Sequence, residues 1–185
     1  VSKGIGGHQR AYRGQSDVWL TPPWILEELG PFDLDPCPCI PQPYPTAKRV
    51  IDGDGLAAEW RPGEAVWLNP PYGPELGAWL KKLAAHGNGV AICFAQTETR
   101  AFFDHVWKKA SGLLFVEGRL HFRHADGRRA KGNAGAPSVL IAYGMAMAER
   151  LAYAKIPGAF VANPFVHVRR GGQADRRPSL FGESS

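Results

Sequence analysis

No apolar run in this chain approaches the roughly 18 residues of a membrane-spanning helix, so no membrane partner is expected. Cysteine is scarce as well. Three residues cannot all pair within one chain, and Cys37 and Cys39 in Cys37-Pro38-Cys39 sit too close for a loop-closing disulfide. A disulfide-stapled secreted domain does not fit. The same pair lacks a second Cys/His pair at metal spacing, so no metal site is expected, and Cys93 in Val90-Ala91-Ile92-Cys93-Phe94 reads as a small core residue. Ser2 to Gly7 show no signal-peptide pattern, which makes cytoplasmic residence the expectation, and the start at Val1 rather than Met points to a missing upstream residue or segment. Acidic residues are the minority, 17 against 22 Lys and Arg, for a net charge of +5. That balance suits many enzymes as well as a nucleic-acid binder. The basic residues concentrate at Arg119 to Lys131 and at Arg169 to Arg177, while the first half is nearly balanced.

What is present bounds the architecture. At 185 residues and 44% hydrophobic, the chain has enough for one well-cored domain and too little for two. Residues 1–15 lack an apolar period and read as a flexible arm, 16–168 as the domain, and 169–185 as a disordered basic tail. Thr21-Pro22-Pro23 suits a helix start running to Leu29, with Thr21 as N-cap and Gly30 as the stop. Strands are expected at Phe32 to Asp35, Ala65 to Leu68, Gly89 to Ala95, Leu113 to Glu117 and Ser138 to Tyr143. Helices are expected at Pro74 to His86, Arg100 to Ala110 and Met145 to Ala154, and Gly158 to Val168 is ambiguous. Strands alternating with helices predict an α/β fold with a mostly parallel sheet. Only a short stretch separates Asp35 from Ala65, so the sheet is expected to be shortened between its first and fourth strands.

The most informative stretch is Leu68-Asn69-Pro70-Pro71-Tyr72-Gly73, at the carboxyl end of a predicted strand in a strand-loop-helix unit. Open α/β sheets bind ligands there. The tetrapeptide suits methyl transfer to a planar amino nitrogen, whose lone pair is delocalised into its π-system and must be drawn out. The Asn69 carboxamide oxygen and the Pro70 carbonyl can accept the two N–H bonds of such a group. Pro70 and Pro71 fix φ near −65° and donate nothing. Tyr72 offers an aromatic face on which a base can stack, a contact worth about 1–3 kcal/mol. The alternative is an ordinary strand-to-helix turn.

With these residues placed, the chain is similar to the phage and prophage family of DNA adenine-N6 methyltransferases. Four landmarks carry the resemblance: Ser16 to Pro23, Phe32 to Pro36, Asp54-Gly55-Leu56 with Trp60, and Trp67 to Gly73. Gly118 to Phe122 and Ala136 to Val139 extend it. The resemblance implies S-adenosylmethionine as donor and a Rossmann-like, single-domain methyltransferase sheet. By position, Thr21 and Pro22 resemble the segment beside the donor's methionine part, and Asp35-Pro36 the first-strand donor motif. Asp54 resembles the acidic position near the donor's adenosine, and Asn69 to Tyr72 the catalytic loop. Asp33 or Asp52 could serve as the donor's carboxylate equally well. Many adenine methyltransferases follow Asp-Pro with a glycine-rich turn, whereas here Cys37-Pro38-Cys39-Ile40-Pro41 follows.

In the basic segment Arg119, Arg123, Arg128, Arg129 and Lys131 are expected to contact DNA phosphates, the alternative being a solvated surface loop. Arg119 has a further reading as the partner of a core carboxylate. The six tryptophans (Trp19, Trp24, Trp60, Trp67, Trp79, Trp107) read as core. Arg177 to Phe181 faintly resembles the Leu-Phe peptides that dock on the replication sliding clamp, although Arg177 replaces the usual leading Gln. Two rivals remain open: a glutamine-N5 methyltransferase of proteins, since the same loop suits a carboxamide nitrogen, and a non-catalytic DNA-binding or anti-restriction module on the same fold.

Overall fold

A computed structural model describes residues 19–162. The expected arm, the basic tail and its clamp-like peptide therefore lie outside the described residues. In chain order the elements are α1 (Pro23–Leu29), β1 (Leu34–Asp35), β2 (Arg49–Val50), β3 (Val66–Leu68), α2 (Leu76–His86), β4 (Gly89–Phe94), α3 (Arg100–Phe102), β5 (Gly112–Val116), β6 (Ser138–Tyr143), α4 (Met145–Tyr153) and β7 (Gly158–Ala162). No helix among the described residues is long and apolar enough to cross a membrane.

All seven strands join one sheet in the order β2-β1-β3-β4-β6-β5-β7. The expected mostly parallel sheet is corrected to a mixed one. β1 pairs in parallel with β2 and β3, and β3 with β4, but these ladders are short. The longer ladders, β4 with β6, β6 with β5 and β5 with β7, are antiparallel. The reason lies in the connection between β5 and β6. It contains no helix, so β6 need not make a right-handed crossover and instead slots between β4 and β5 against both. From the pairings, β1 to β5 share one direction while β6 and β7 oppose it, so β1, β3, β4 and β5 end on the same edge.

Both faces of the sheet are covered. Along β4, Val90 and Ile92 belong to one apolar cluster, with Ile25, Leu29, Met147 and Leu151 of α1 and α4. Ala91 and Cys93 belong to the other, with Leu80, Leu83, Phe102 and Val106. Strict alternation along a strand with both sets apolar is the mark of a central strand buried on both faces. Arg150 of α4 locks the layers at one corner, its guanidinium donating to the Leu29 and Pro31 carbonyls.

Local boundaries follow identifiable chemistry. α2 stops where Gly87 takes φ 77° and its N–H closes on the Leu83 carbonyl. α3 is shorter than expected: after Phe102 the chain widens into a π-helical turn over Phe103–Trp107, with the buried Tyr143 hydroxyl donating to the His105 carbonyl. Thr21 is not the N-cap of α1. Pro22 holds that position with no side-chain cap, and the Thr21 hydroxyl is buried without a partner. Between Asp35 and Ala65 the chain contributes only the two-residue β2. The rest of that stretch is a loop folded onto Pro36, held by Lys82, whose ammonium donates to the Gly55, Leu56 and Ala58 carbonyls.

Gly55 is fixed by close approach rather than by a turn. A Cβ there would lie 1.9 Å from the Pro36 carbonyl oxygen and 2.9 Å from the Trp79 ring. Gly55→Ala should therefore destabilise the protein by about 3 kcal/mol, the upper part of the usual overpacking range, measured as the shift in urea unfolding midpoint. A variant as stable as the wild type would show that the loop moves off Pro36 freely.

Candidate active site

The site forms at the shared carboxyl edge of β1, β3 and β4. β3 ends at Leu68, and Asn69 follows it directly. The Asn69 Nδ2 donates to the Trp19 carbonyl at 2.7 Å, which fixes the amide so that Oδ1 is the free acceptor end. Among the described residues only the Tyr72 hydroxyl reaches that oxygen, at a long 3.5 Å. Among the described residues no hydrogen bond ends on the Pro70 carbonyl. Pro70 is buried and Pro71 exposed, so the loop is anchored at its first proline and open at its second. Gly73 N–H returns to the Pro71 carbonyl before the chain enters α2.

Tyr72 is half-buried. One face of its ring lies on Phe94, centroids 4.4 Å apart, and Phe122 meets it edge-on at 6.3 Å. Burial pushes its hydroxyl pKa upward, so that group stays protonated. Phe94, at the end of β4, and Phe122 were not singled out from the sequence; they turn the tyrosine into part of an aromatic wall.

The strip Trp19–Pro22 runs alongside this loop. Leu20 and Arg123 exchange both backbone hydrogen bonds at 2.9 Å, the Thr21 carbonyl accepts from the Tyr44 hydroxyl at 2.6 Å, and the Trp19 ring packs on His124 at 5.5 Å. Thr21 and Pro22 are both buried.

The four candidate carboxylates separate sharply, and Asp52 is exposed. Asp33 is committed to structure: one oxygen accepts from the Ala65 N–H and the other from Lys48, and these contacts hold its pKa down. Asp54 caps its own loop, accepting from the Leu56 and Ala57 N–H groups in the open. Asp35 is 2% exposed, bound by the Thr46 hydroxyl at 2.5 Å and the Cys37 N–H at 2.9 Å. Burial pushes its pKa up to about 6 against the pull of those two donors. Among the described residues no cation pairs with it. Pro36, also buried, follows it at the strand end.

The basic segment is not a free loop. Arg123 bridges antiparallel to Leu20 on one side and to Arg129 on the other, with a turn at Gly127 (φ 81°). Leu120, Phe122, Ala130 and Ala134 are buried beneath it. Arg119, Arg129 and Lys131 are exposed, and among the described residues their side chains make no hydrogen bond or ion pair, so Arg119 has no carboxylate partner there. Arg128 pairs with Asp126 in solvent, and Arg123 donates to the Gly127 carbonyl. The structure thus brings Thr21, Pro22, Asp35, Asn69, Tyr72 and Arg123 into one neighbourhood. Asp33 and Asp54 face other tasks.

The family model of DNA N-6-adenine-methyltransferase (Dam) matches residues 9–156. The chain belongs to this family. No curated protein and no solved structure matches it. The Dam match spans the Trp19–Pro22 strip, Asp35, the Asn69 loop and the basic hairpin, so every part of the site lies within it. Among the described residues no group of three or more Cys, His, Asp or Glu side chains is placed to hold a metal ion.

In this Dam-family chain the Asp35 environment has a measurable consequence. Its folded pKa, about 6, lies above the unfolded value of 3.8, so the folded state keeps the proton longer as pH rises. Its favourable contribution is complete below about pH 4 and declines until about pH 6. Once ionised, the buried carboxylate costs on the order of 3 kcal/mol. Asp35→Asn should then raise the unfolding free energy by about 1–3 kcal/mol near pH 8 and change it little near pH 4. Urea unfolding at the two pH values measures this; a gain of equal size at both would place the strain elsewhere.

Proposed function

We propose that this Dam-family protein transfers a methyl group from S-adenosylmethionine to the N6 of an adenine in DNA. The observation that carries the reading is the acceptor pair, Asn69 Oδ1, met by the Tyr72 hydroxyl at a long 3.5 Å, and the Pro70 carbonyl, standing at the carboxyl edge of the sheet beside a pinned basic hairpin. The direction shared by β1 to β5 is compatible with a Rossmann-like methyltransferase sheet.

The residues on the donor side fit the proposed cofactor. Asp35 is a buried carboxylate lacking a cation, suited to a donor ammonium, and the Thr21 hydroxyl is buried without a partner. When bound, S-adenosylmethionine supplies an electrophilic methyl on a sulfonium. The protein's part is positioning and polarisation. Asn69 Oδ1 and the Pro70 carbonyl accept the two N6–H bonds and turn the nitrogen lone pair toward the methyl. The adenine leaves the duplex stack and lies on the face of Tyr72 that Phe94 leaves open. No strong base is required, because the N6 proton becomes acidic only after the methyl has arrived and water then takes it. Arg119, Arg123, Arg128, Arg129 and Lys131 hold phosphates.

Incubation with labelled donor and DNA, followed by digestion to nucleosides, should yield N6-methyladenine. Asn69→Ala should lower turnover by about 100- to 1,000-fold, as the loss of a preorganised hydrogen-bonding partner does, with donor affinity retained by calorimetry. Tyr72→Phe should keep most activity and Tyr72→Ala should not, because the ring face is what the base uses. Wild-type turnover in Asn69→Ala would sink the mechanism. Label on a glutamine peptide and none on DNA would move the substrate to protein, and no donor binding by folded protein would favour the non-catalytic rival.

A further inference from the structure

A cleft of about 380 Å³ opens beyond the carboxyl end of β5, bounded by Pro22 on the strip and by the basic hairpin. We infer that this cleft holds the nucleotide flanking the target adenine, its base stacked on Trp24 and its phosphate held by Arg119, Arg123 and Arg129. The inference rests on the reading of the chain as a DNA methyltransferase.

Four observations converge. The first is position: β5 runs in the same sense as β3, so the cleft and the Asn69 loop open on one edge of the sheet, and the volume falls within the roughly 300–1,000 Å³ of ligand sites. The second is Trp24. The tryptophan expected in the core is 37% exposed, while Ile25, Leu26 and Leu29 of the same helix supply the buried face. A large aromatic ring at the rim of a basic cleft is suited to base stacking. The third is charge: three arginines line one cleft, and among the described residues none of them pairs with a carboxylate. Like charges gathered this closely favour an anion between them, and the fork geometry of arginine suits phosphate. The fourth is the pair His121 and Glu117. The His121 Nδ1 is buried with no partner, and Glu117 is the one carboxylate lining the cleft. A carboxylate there repels phosphate but accepts from a base amino group such as that of cytosine. A nucleotide satisfies all four features; a bare phosphate leaves Trp24 and Glu117 without a role.

The test combines equilibrium binding of short labelled duplexes, measured by anisotropy across a salt series, with sequencing of the flanks of methylated adenines in a randomised duplex pool. Trp24→Ala should raise the DNA Kd about tenfold with an unchanged salt slope, and Trp24→Phe should restore most of the affinity. Arg119→Ala with Arg129→Ala should weaken DNA binding and lower the salt slope by about one, the single phosphate they share. Glu117→Gln should relax the base preference at the flanking position and leave the slope alone. Thermal unfolding and donor calorimetry report whether each variant is folded. A Trp24→Ala protein with wild-type Kd and wild-type flanking preference overturns the subsite while leaving methyl transfer standing, and failure of the wild type to bind DNA overturns it as well. DNA affinity that falls in Trp24→Ala, in a protein that methylates no adenine, upholds the cleft and removes the methyl-transfer reading instead.

Discussion

The hydrogen bond from Asn69 Nδ2 to the Trp19 carbonyl is the joint on which the site depends. An asparagine amide has two chemically opposite ends, and only one of them can accept from an amine. By taking the nitrogen end, a backbone carbonyl from a distant part of the chain turns Oδ1 outward. The strip that supplies this carbonyl is itself held by backbone: Leu20 exchanges two hydrogen bonds with Arg123, and the Thr21 carbonyl receives the Tyr44 hydroxyl. Three regions far apart in sequence, the Asn69 loop, the loop around Tyr44 and the basic hairpin, are therefore registered against one extended segment. Each such bond contributes only about 1 kcal/mol net. Their value lies in fixing orientation, because a side chain that must present one face of a planar group gains little from affinity and much from angle.

Stability and preparedness pull in opposite directions at Asp35. A carboxylate at the end of β1 is sealed from water with two hydrogen-bond donors and no counter-ion, and those donors recover only part of the desolvation cost. The neighbouring aspartates show what a satisfied arrangement looks like: Asp33 has an ammonium and an N–H, and Asp54 has two N–H groups and open solvent. Perturbed carboxylates gather at functional sites because a ligand can supply the missing charge. Alternation does not separate acids two residues apart; what does is that Asp33 stands before β1 and meets the Ala65 N–H and Lys48, while Asp35 ends β1 beneath Thr46.

The elements carried by periodicity were legible. α2, β4, β6 and α4 fall where apolar spacing places them, and the Asn69 loop stands at a strand end as expected. Strand direction was not legible, because alternation of strands and helices says nothing about a long helix-free connection, and the one before β6 reverses its sense. The basic hairpin was present in the sequence and hidden by its charge. Leu120 and Phe122 alternate with Arg119, His121 and Arg123 in the manner of a half-buried strand, and Asp126-Gly127 is a strong turn signal. Attention to the arginines read that pattern as a loop for DNA phosphates and missed the half-buried strand in it. Thr21 misled in the same way, since a threonine before two prolines looks like a cap, whereas Pro22 takes the cap position and the Thr21 hydroxyl is buried without a partner. Tyr44, Thr46 and Phe94 have no local signature, because their roles exist only once distant strands align.

The short stretch between Asp35 and Ala65 explains how so small a chain closes this side of the sheet. A glycine-rich turn after the first strand would let a ligand approach the backbone directly, and Cys37-Pro38-Cys39 cannot offer that freedom. The glycine that does make a close approach is Gly55, and what it approaches is the protein itself, the Pro36 carbonyl. Lys82 then collects three carbonyls of the same loop while its ammonium stands 4.8 Å over the Trp60 ring. One cation and one aromatic ring thus hold this helix-free loop in place. The loop's backbone donors at Leu56 and Ala57 turn toward Asp54. Asp54 thereby holds the loop in shape, and Asp35, sealed beneath Thr46, is the acid left with charge to share.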